Sequence, residues 1–176
     1  TSIDSFSKIP DKLTNMTTFW RHSVYTGLLA KSLAKKLNVL HPERLFIAGL
    51  LHDIGTLIIN SRFPELARDI LEDAGGEEEH LYEMEQRLIG FNHAVLGSLM
   101  MDEWKLPLTL CEAVRYHHEP MKSEFATMDA CILHVSNVLA NRSCVGSFCE
   151  VLSVTDEIQK PVIKFLGLQE GFENDI

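Results

Sequence analysis

Long hydrophobic runs are missing from this sequence. The longest candidate, "LFIAGLL" at 45–51, ends at His52 and falls far short of the roughly 18 apolar residues that a membrane-spanning helix needs. The segment "TSIDSFSKIPDKL" has no charged-then-apolar leader layout. Positive charge is in deficit, 16 basic against 25 acidic residues for a net −9. That field repels nucleic-acid backbones and anionic lipid, so no nucleic acid and no membrane is expected among the partners. A local positive pocket for a small phosphate-containing ligand remains compatible with it. Cysteine is sparse, and Cys111, Cys131, Cys144 and Cys149 show no CxxC spacing. They read as small buried thiols of a reducing cytoplasm, the alternative being a zinc or disulfide shared by Cys144 and Cys149. No Asn-Gly or Asp-Gly hairpin and no sustained period-two alternation appears, which removes the strand signals. Without a GxSxG, P-loop or GxGxxG motif, acyl transfer and nucleotide-cradling folds drop out.

What is present is helical. At 176 residues, 45% hydrophobic and 23% charged, the chain suits one globular domain with a substantial core. Phe19, Val24, Leu28, Leu33 and Leu37 fall at helical spacing, with Lys31, Lys35 and Lys36 near the end of that segment, where cations complement the dipole. Pro42 and Pro64 suit the first turns of the helices "PERLFIAGLLH" and "PELARDILEDA", the second stopped by Gly75-Gly76. "EEEHLYEMEQRLIG" runs to Gly90, with the acidic run Glu77 to Glu79 a solvated helix start. Asn92 caps "HAVLGSLMMDEWK", and Pro107 starts "PLTLCEAVRYHH". A longer helix covers "FATMDACILHVSNVLANR", and a shorter one covers "DEIQKPVIKFLG", in which Pro161 marks either a kink or the true start. The expectation is an all-α bundle of about eight helices over residues 1–176. Trp20 and Trp104 are expected in the core with their indole N–H groups paired, and Met100-Met101 as core filling.

Histidines interrupt these apolar faces. His22 lies in the first long helix, His52 and Asp53 break an apolar run, His93 opens a helix, and His117-His118 close one. Helical bundles build metal sites from side chains that converge out of different helices, and imidazole with carboxylate suits a transition metal. Adjacent residues on a regular helix point about 100° apart, so His52 and Asp53 can share a centre only if the backbone ends or distorts there. Gly55 is placed to permit that distortion.

The segments "FWRHS", "AGLLHDIG", "EQRLIGFNHAVLG", "WKLP", "VRYHHEP" and "ILHVSNVLA", in this order between residues 19 and 140, resemble the HD superfamily of metal-dependent phosphohydrolases. More closely they resemble its HDOD branch, the HD-related output domains of bacterial signalling proteins. The resemblance implies an HD-like helical bundle in a longer chain with a helical N-terminal region. It also implies a metal site from His22, His52, Asp53, His93, His117 and His118, and a cytoplasmic location.

Departures from the pattern qualify the chemistry. Asn137 stands where the last HD carboxylate is usual. Thr56 replaces the lysine of the related cyclic di-GMP phosphodiesterases, Thr18 replaces a glutamate found in some of them, and "HHEPMKSEF" lacks their Gly-Tyr-Pro segment. Only Asp53 supplies negative charge to the cluster, so two divalent cations would be under-neutralised. A mononuclear site from His22, His52 and Asp53, or an empty hydrogen-bonded cluster, both fit the chemistry. Cofactor expectations are therefore one divalent metal (Mn, Fe, Zn, Ni or Mg) or none. Arg115 is either a substitute cation or an exposed helix residue. Glu85, at a family glutamate position, either orients a histidine or makes a surface ion pair. His41, His80 and His134 lie outside the matched positions and receive no role. The reading favours a non-catalytic signalling module that binds protein partners or a small phosphate-containing ligand, with a metal-dependent phosphohydrolase as the alternative.

Overall fold

A computed structural model describes residues 13–74, 78–143, 157–169 and 171–172. Among them lie nine α-helices and no strand: α1 (Met16–Lys36), α2 (Glu43–Leu51), α3 (Ile54–Arg62), α4 (Pro64–Ala74), α5 (Glu78–Leu88), α6 (His93–Glu103), α7 (Leu108–Arg115), α8 (Thr127–Asn141) and α9 (Lys160–Leu166). A 3-10 turn covers Pro120–Lys122. The stop read at Gly75-Gly76 and the Cys144–Cys149 pairing lie outside the described residues.

Local chemistry sets the ends. Asn15 caps α1 by accepting from the Thr17 and Thr18 N–H groups, and Asn92 caps α6 by accepting from the Val95 N–H at 3.0 Å, each pairing donors that a helix start leaves open. Gly90 takes φ +86 just beyond α5, a conformation open to glycine at little cost. Pro161 stands in the first turn of α9, which starts at Lys160, so it marks a start and not a kink.

α8 is the axis of the molecule. Twelve of its fifteen residues are buried, the signature of a helix enclosed on nearly all sides. On one flank Ile132 and Val135 pack with Ala30, Leu33 and Leu45 of α1 and α2 and with Val162 of α9. On another, Leu133 packs with Ala48, Met101, Leu110 and Val114 of α2, α6 and α7. Arg44 of α2 clamps Asp129 of α8 in a two-pronged contact of 2.7 and 2.8 Å, the fork geometry that makes arginine–carboxylate pairs specific.

Three expectations need correction. The stretch after Asp53, which carried no helix signal in the reading, forms α3 directly after α2, because Ile54, Leu57 and Ile59 all find buried places. Trp20 and Trp104 are 40% and 47% exposed. Phe19 fills the core beside Trp20, which meets it edge to face at 5.2 Å. Trp104 follows the last turn of α6, and the apolar period carried no information about which side of that end faces solvent. Gly55 is required for space and not for backbone freedom. A Cβ there would sit 2.0 Å from the His93 carbonyl oxygen and 2.8 Å from the Gly97 nitrogen, so glycine alone lets α3 reach the backbone of α6.

That contact predicts a contrast between two small substitutions. Gly55→Ala must push α3 off α6 and should cost about 3 kcal/mol, the upper end of ordinary overpacking. Gly97→Ala, whose Cβ would meet its nearest neighbours at 3.4 Å, should cost far less. Urea unfolding of the two variants beside the parent checks the order.

Candidate metal centre

The α2–α3 junction is where the centre begins. α2 stops at Leu51; His52 keeps helical angles (φ −57, ψ −35) as its cap, and Asp53 departs to φ −100, ψ 8 before α3 starts at Ile54. The break turns two adjacent side chains toward one point. Asp53 occupies the N-cap of α3 yet makes no side-chain cap hydrogen bond. A capping aspartate is ordinarily worth about 1 kcal/mol, and here the carboxylate is turned inward instead.

Six side chains from four places in the fold meet there, and all are buried: His22 (0% exposed) from α1, His52 (0%) and Asp53 (1%) from the junction, His93 (2%) from the start of α6, and His117 (0%) and His118 (4%) from the turn after α7. His22 Nε2 is 3.2 Å from His52 Nε2. Asp53 Oδ2 lies 3.4 Å from His22 Nε2 and 3.0 Å from His52 Nε2. Its other oxygen, Oδ1, faces His93 Nε2 at 3.5 Å and His117 Nε2 at 3.9 Å. His93 Nε2 and His118 Nε2 are 3.0 Å apart. The donors thus form two triads, His22–His52–Asp53 and His93–His117–His118, each with ligand atoms within 4.8 Å of one another. Asp53 presents one oxygen to each.

Outer partners fix which nitrogen faces inward. His52 Nδ1 donates to the Gly49 carbonyl at 2.7 Å, and His117 Nδ1 donates to the Val114 carbonyl at 2.7 Å. A carbonyl oxygen can only accept, so each Nδ1 carries a proton. His93 Nδ1 donates to Glu85 Oε2 at 2.7 Å, and the His93 backbone N–H donates to the same oxygen at 2.7 Å. In the neutral ring each Nε2 is then an inward lone pair, the form in which imidazole binds a cation. Both Asp53 oxygens and His117 Nε2 are buried without a hydrogen bond. Buried polar atoms are rarely left so, and inward lone pairs facing a carboxylate are the donor set that suits a divalent cation. The residues fit a metal.

Burial, the largest influence on Asp53, pushes its carboxyl upward, whereas imidazoles of His52, His22 and His93 that carry a proton toward it pull it well below the usual carboxylate range. Burial and the neighbouring imidazoles push His117 and His118 well below the ordinary value of 6.5.

The remaining candidate residues sort by position. Glu85, 3% exposed, orients His93 and is no surface ion pair. Arg115 is exposed and lies over the Tyr116 ring, 5.8 Å from its centroid. Thr56 and Thr18 are buried and uncharged. Asn137 of α8 reaches the centre, its amide 3.2 Å from His52 Nε2. Among the described residues no helix is long and apolar enough to cross a membrane.

Three supporting residues received no role from the sequence. His134 donates from Nδ1 to the His117 carbonyl at 2.9 Å, and the Gln159 side-chain amide donates to the His118 carbonyl at 2.7 Å. Tyr82 stacks on His118 at 4.4 Å and donates to Glu119 Oε2 at 2.9 Å. The only available signal was spacing: His134 precedes Asn137 by one helical turn.

The HDOD domain family profile matches residues 1–120. Three solved structures share the fold. An HDOD domain protein of unknown function from Geobacter sulfurreducens is 25% identical, with a TM-score of 0.70 over 85% of this chain and 51% of its own. A Marinobacter aquaeolei VT8 protein, provisionally named a signal transduction protein, is 21% identical with a TM-score of 0.72, over 89% of this chain and 34% of its own. A Shewanella amazonensis SB2B protein, provisionally named a phosphohydrolase, is 24% identical with a TM-score of 0.58, over 88% and 60%. The chain therefore spans between about a third and three fifths of these relatives.

The histidine environment predicts a pH dependence in metal-free protein. A folded value below the unfolded one means that the unfolded state binds protons first, so stability is retained above 6.5 and lost as pH falls below it. Urea unfolding across that range should show the decline, and His117→Gln should flatten it. A parent protein equally stable on both sides of 6.5 would contradict the assignment.

Proposed function

The chain belongs to the HDOD domain family, and we propose that within it this domain is a regulatory output module of a bacterial signalling protein. It acts in the cytoplasm through contacts with protein partners, and its His/Asp centre braces the fold. One observation carries this reading: the six side chains are each at most 4% exposed, so a phosphoester has no direct approach to them.

Two further features support it. Stabilising the charge on a transferring phosphoryl group requires a positioned cation or donor. The two positions from which the sequence offered one do not supply it: Thr56 is neutral and Arg115 is exposed over Tyr116. The small neighbouring cleft is lined mainly by Leu13, Ile59, Ile70 and Leu81, with Glu85 as its charged residue. An apolar wall with a carboxylate disfavours an anionic ligand, which leaves protein partners as the better reading.

The competing reading is a metal-dependent phosphohydrolase, and the two triads joined by Asp53 favour it. His22, His52 and Asp53, with His93, His117 and His118 opposite, would hold one divalent ion (Mn, Fe, Zn, Ni or Mg). A bound ion of this kind supplies Lewis-acid polarisation and an activated water. Glu85, His134 and Gln159 do the positioning in either reading, by holding His93, His117 and His118 in place.

Turnover separates the two. Purified protein supplied with each of these metals should release no product from a phosphomonoester, a phosphodiester or cyclic di-GMP. Turnover that His52→Ala abolishes would overturn the signalling-module reading in favour of the enzyme.

A further inference from the structure

The outer side of α1 carries an apolar ridge. Phe19 and Leu33 of that helix are buried, whereas Trp20, Val24 and Leu28 are 40%, 40% and 53% exposed. At 3.6 residues per turn the three project within an arc of about 80°, and at 1.5 Å rise they span about 12 Å of the axis. The buried residues of α1, among them Phe19, His22, Ala30 and Leu33, lie on the other side of the helix. Single apolar side chains scattered on a surface are ordinary. Three at i, i+4 and i+8, led by a tryptophan, form instead the row of anchors against which a second helix packs.

Charge indicates what that helix carries. The chain has a net −9, yet α1 contains no Asp or Glu in its 21 residues. Arg21, Lys31 and Lys35 share the arc of the ridge, all within about 100° by the same helical period. None of the three pairs with a carboxylate among the described residues. The helix dipole favours Lys35 in the last turn but gives no account of Arg21 in the N-terminal half. We propose that this face of α1 docks an amphipathic helix of a partner protein, its apolar stripe on Trp20, Val24 and Leu28 and its carboxylates against Arg21, Lys31 and Lys35. A second copy of the chain would bring the same three cations and no counter-charge. Anionic lipid meets the repulsion of the domain's net negative charge. Trp20 is the expected anchor, because tryptophans dominate the binding energy of interfaces. The inference gives the protein-partner reading a surface and a partner chemistry, and rests on that reading.

Fluorescence anisotropy with the full chain tests it, using a labelled, side-chain-stapled helical peptide with leucines at i, i+4 and i+8 flanked by glutamates. A twin peptide carries lysines in place of the glutamates. The parent should bind the acidic peptide at least about tenfold more tightly than the basic one, and less tightly as salt rises. Trp20→Ala should weaken that binding at least about tenfold, whereas Leu99→Ala, at an exposed leucine of α6, should leave it unchanged. The double variant Lys31→Glu, Lys35→Glu should invert the preference between the peptides. It removes no apolar side chain, so it covers the case in which Trp20→Ala does not fold. No binding of the acidic peptide, equal binding of the two, or a Leu99→Ala loss as large as that of Trp20→Ala would overturn the proposal. So would Trp20-dependent binding to phosphatidylserine–phosphatidylcholine vesicles, or a Trp20-dependent dimer in sedimentation, which would assign the face to a membrane or to a second copy. Failed peptide binding without phosphoester turnover strikes this surface alone, while turnover that His52→Ala abolishes strikes the reading beneath it.

Discussion

Imidazole lone pairs and a carboxylate share a dry interior here, and the rest of the structure is arranged around compensating them. Acceptors that face one another without a proton or cation between them repel, and burial deprives them of water. The orientation is not accidental. His52 and His117 are held by backbone carbonyls, and His93 by the buried Glu85. A fold that needed only packing would gain more from apolar side chains at these positions. Retaining six polar groups where α1, the α2–α3 junction, the start of α6 and the turn after α7 meet gives a cluster whose donors could hold a cation.

Architecture follows from that centre. α2 has to end at Leu51 so that His52 and Asp53 turn toward the same point. α3 then has to press against α6 closely enough that Gly55 admits no Cβ. The same constraint recurs where α1 crosses α2, since a Cβ on Gly49 would sit 2.5 Å from the Gly27 Cα. These backbone approaches bring His22, His52 and His93 within reach of Asp53. α8 closes the arrangement with Asn137 beside His52 and His134 behind His117. Closure shuts every donor away from solvent, which on the proposed reading suits a rigid hub between faces of the domain.

Much of this was legible in the sequence. Helical periodicity with an asparagine cap at 92 and proline starts gave the all-α class, because those features act within a single turn. The meeting of His22, His52, Asp53, His93, His117 and His118 was readable from polar residues interrupting apolar faces. α3 escaped notice, since the apolar run across the His-Asp pair carries no cap and its start is defined by tertiary packing. The tryptophans misled because an apolar ring at helical spacing does not say which side of a helix faces its neighbours. Gly55 misled for a related reason: a glycine needed for space and one needed for φ look the same in sequence. Tyr82, His134 and Gln159 act across 17 to 41 positions of chain or by ring stacking, and no local pattern reports such contacts.

Solvent access to the centre tests the central claim most directly. Water-proton relaxation of the Mn(II)-loaded protein reports whether the ion carries a rapidly exchanging water. A closed centre predicts a relaxation enhancement no greater than that of fully coordinated manganese, unchanged by added phosphate. A strong enhancement that phosphate suppresses would show an open coordination position reached from solvent, and would contradict the account of the centre as an internal brace.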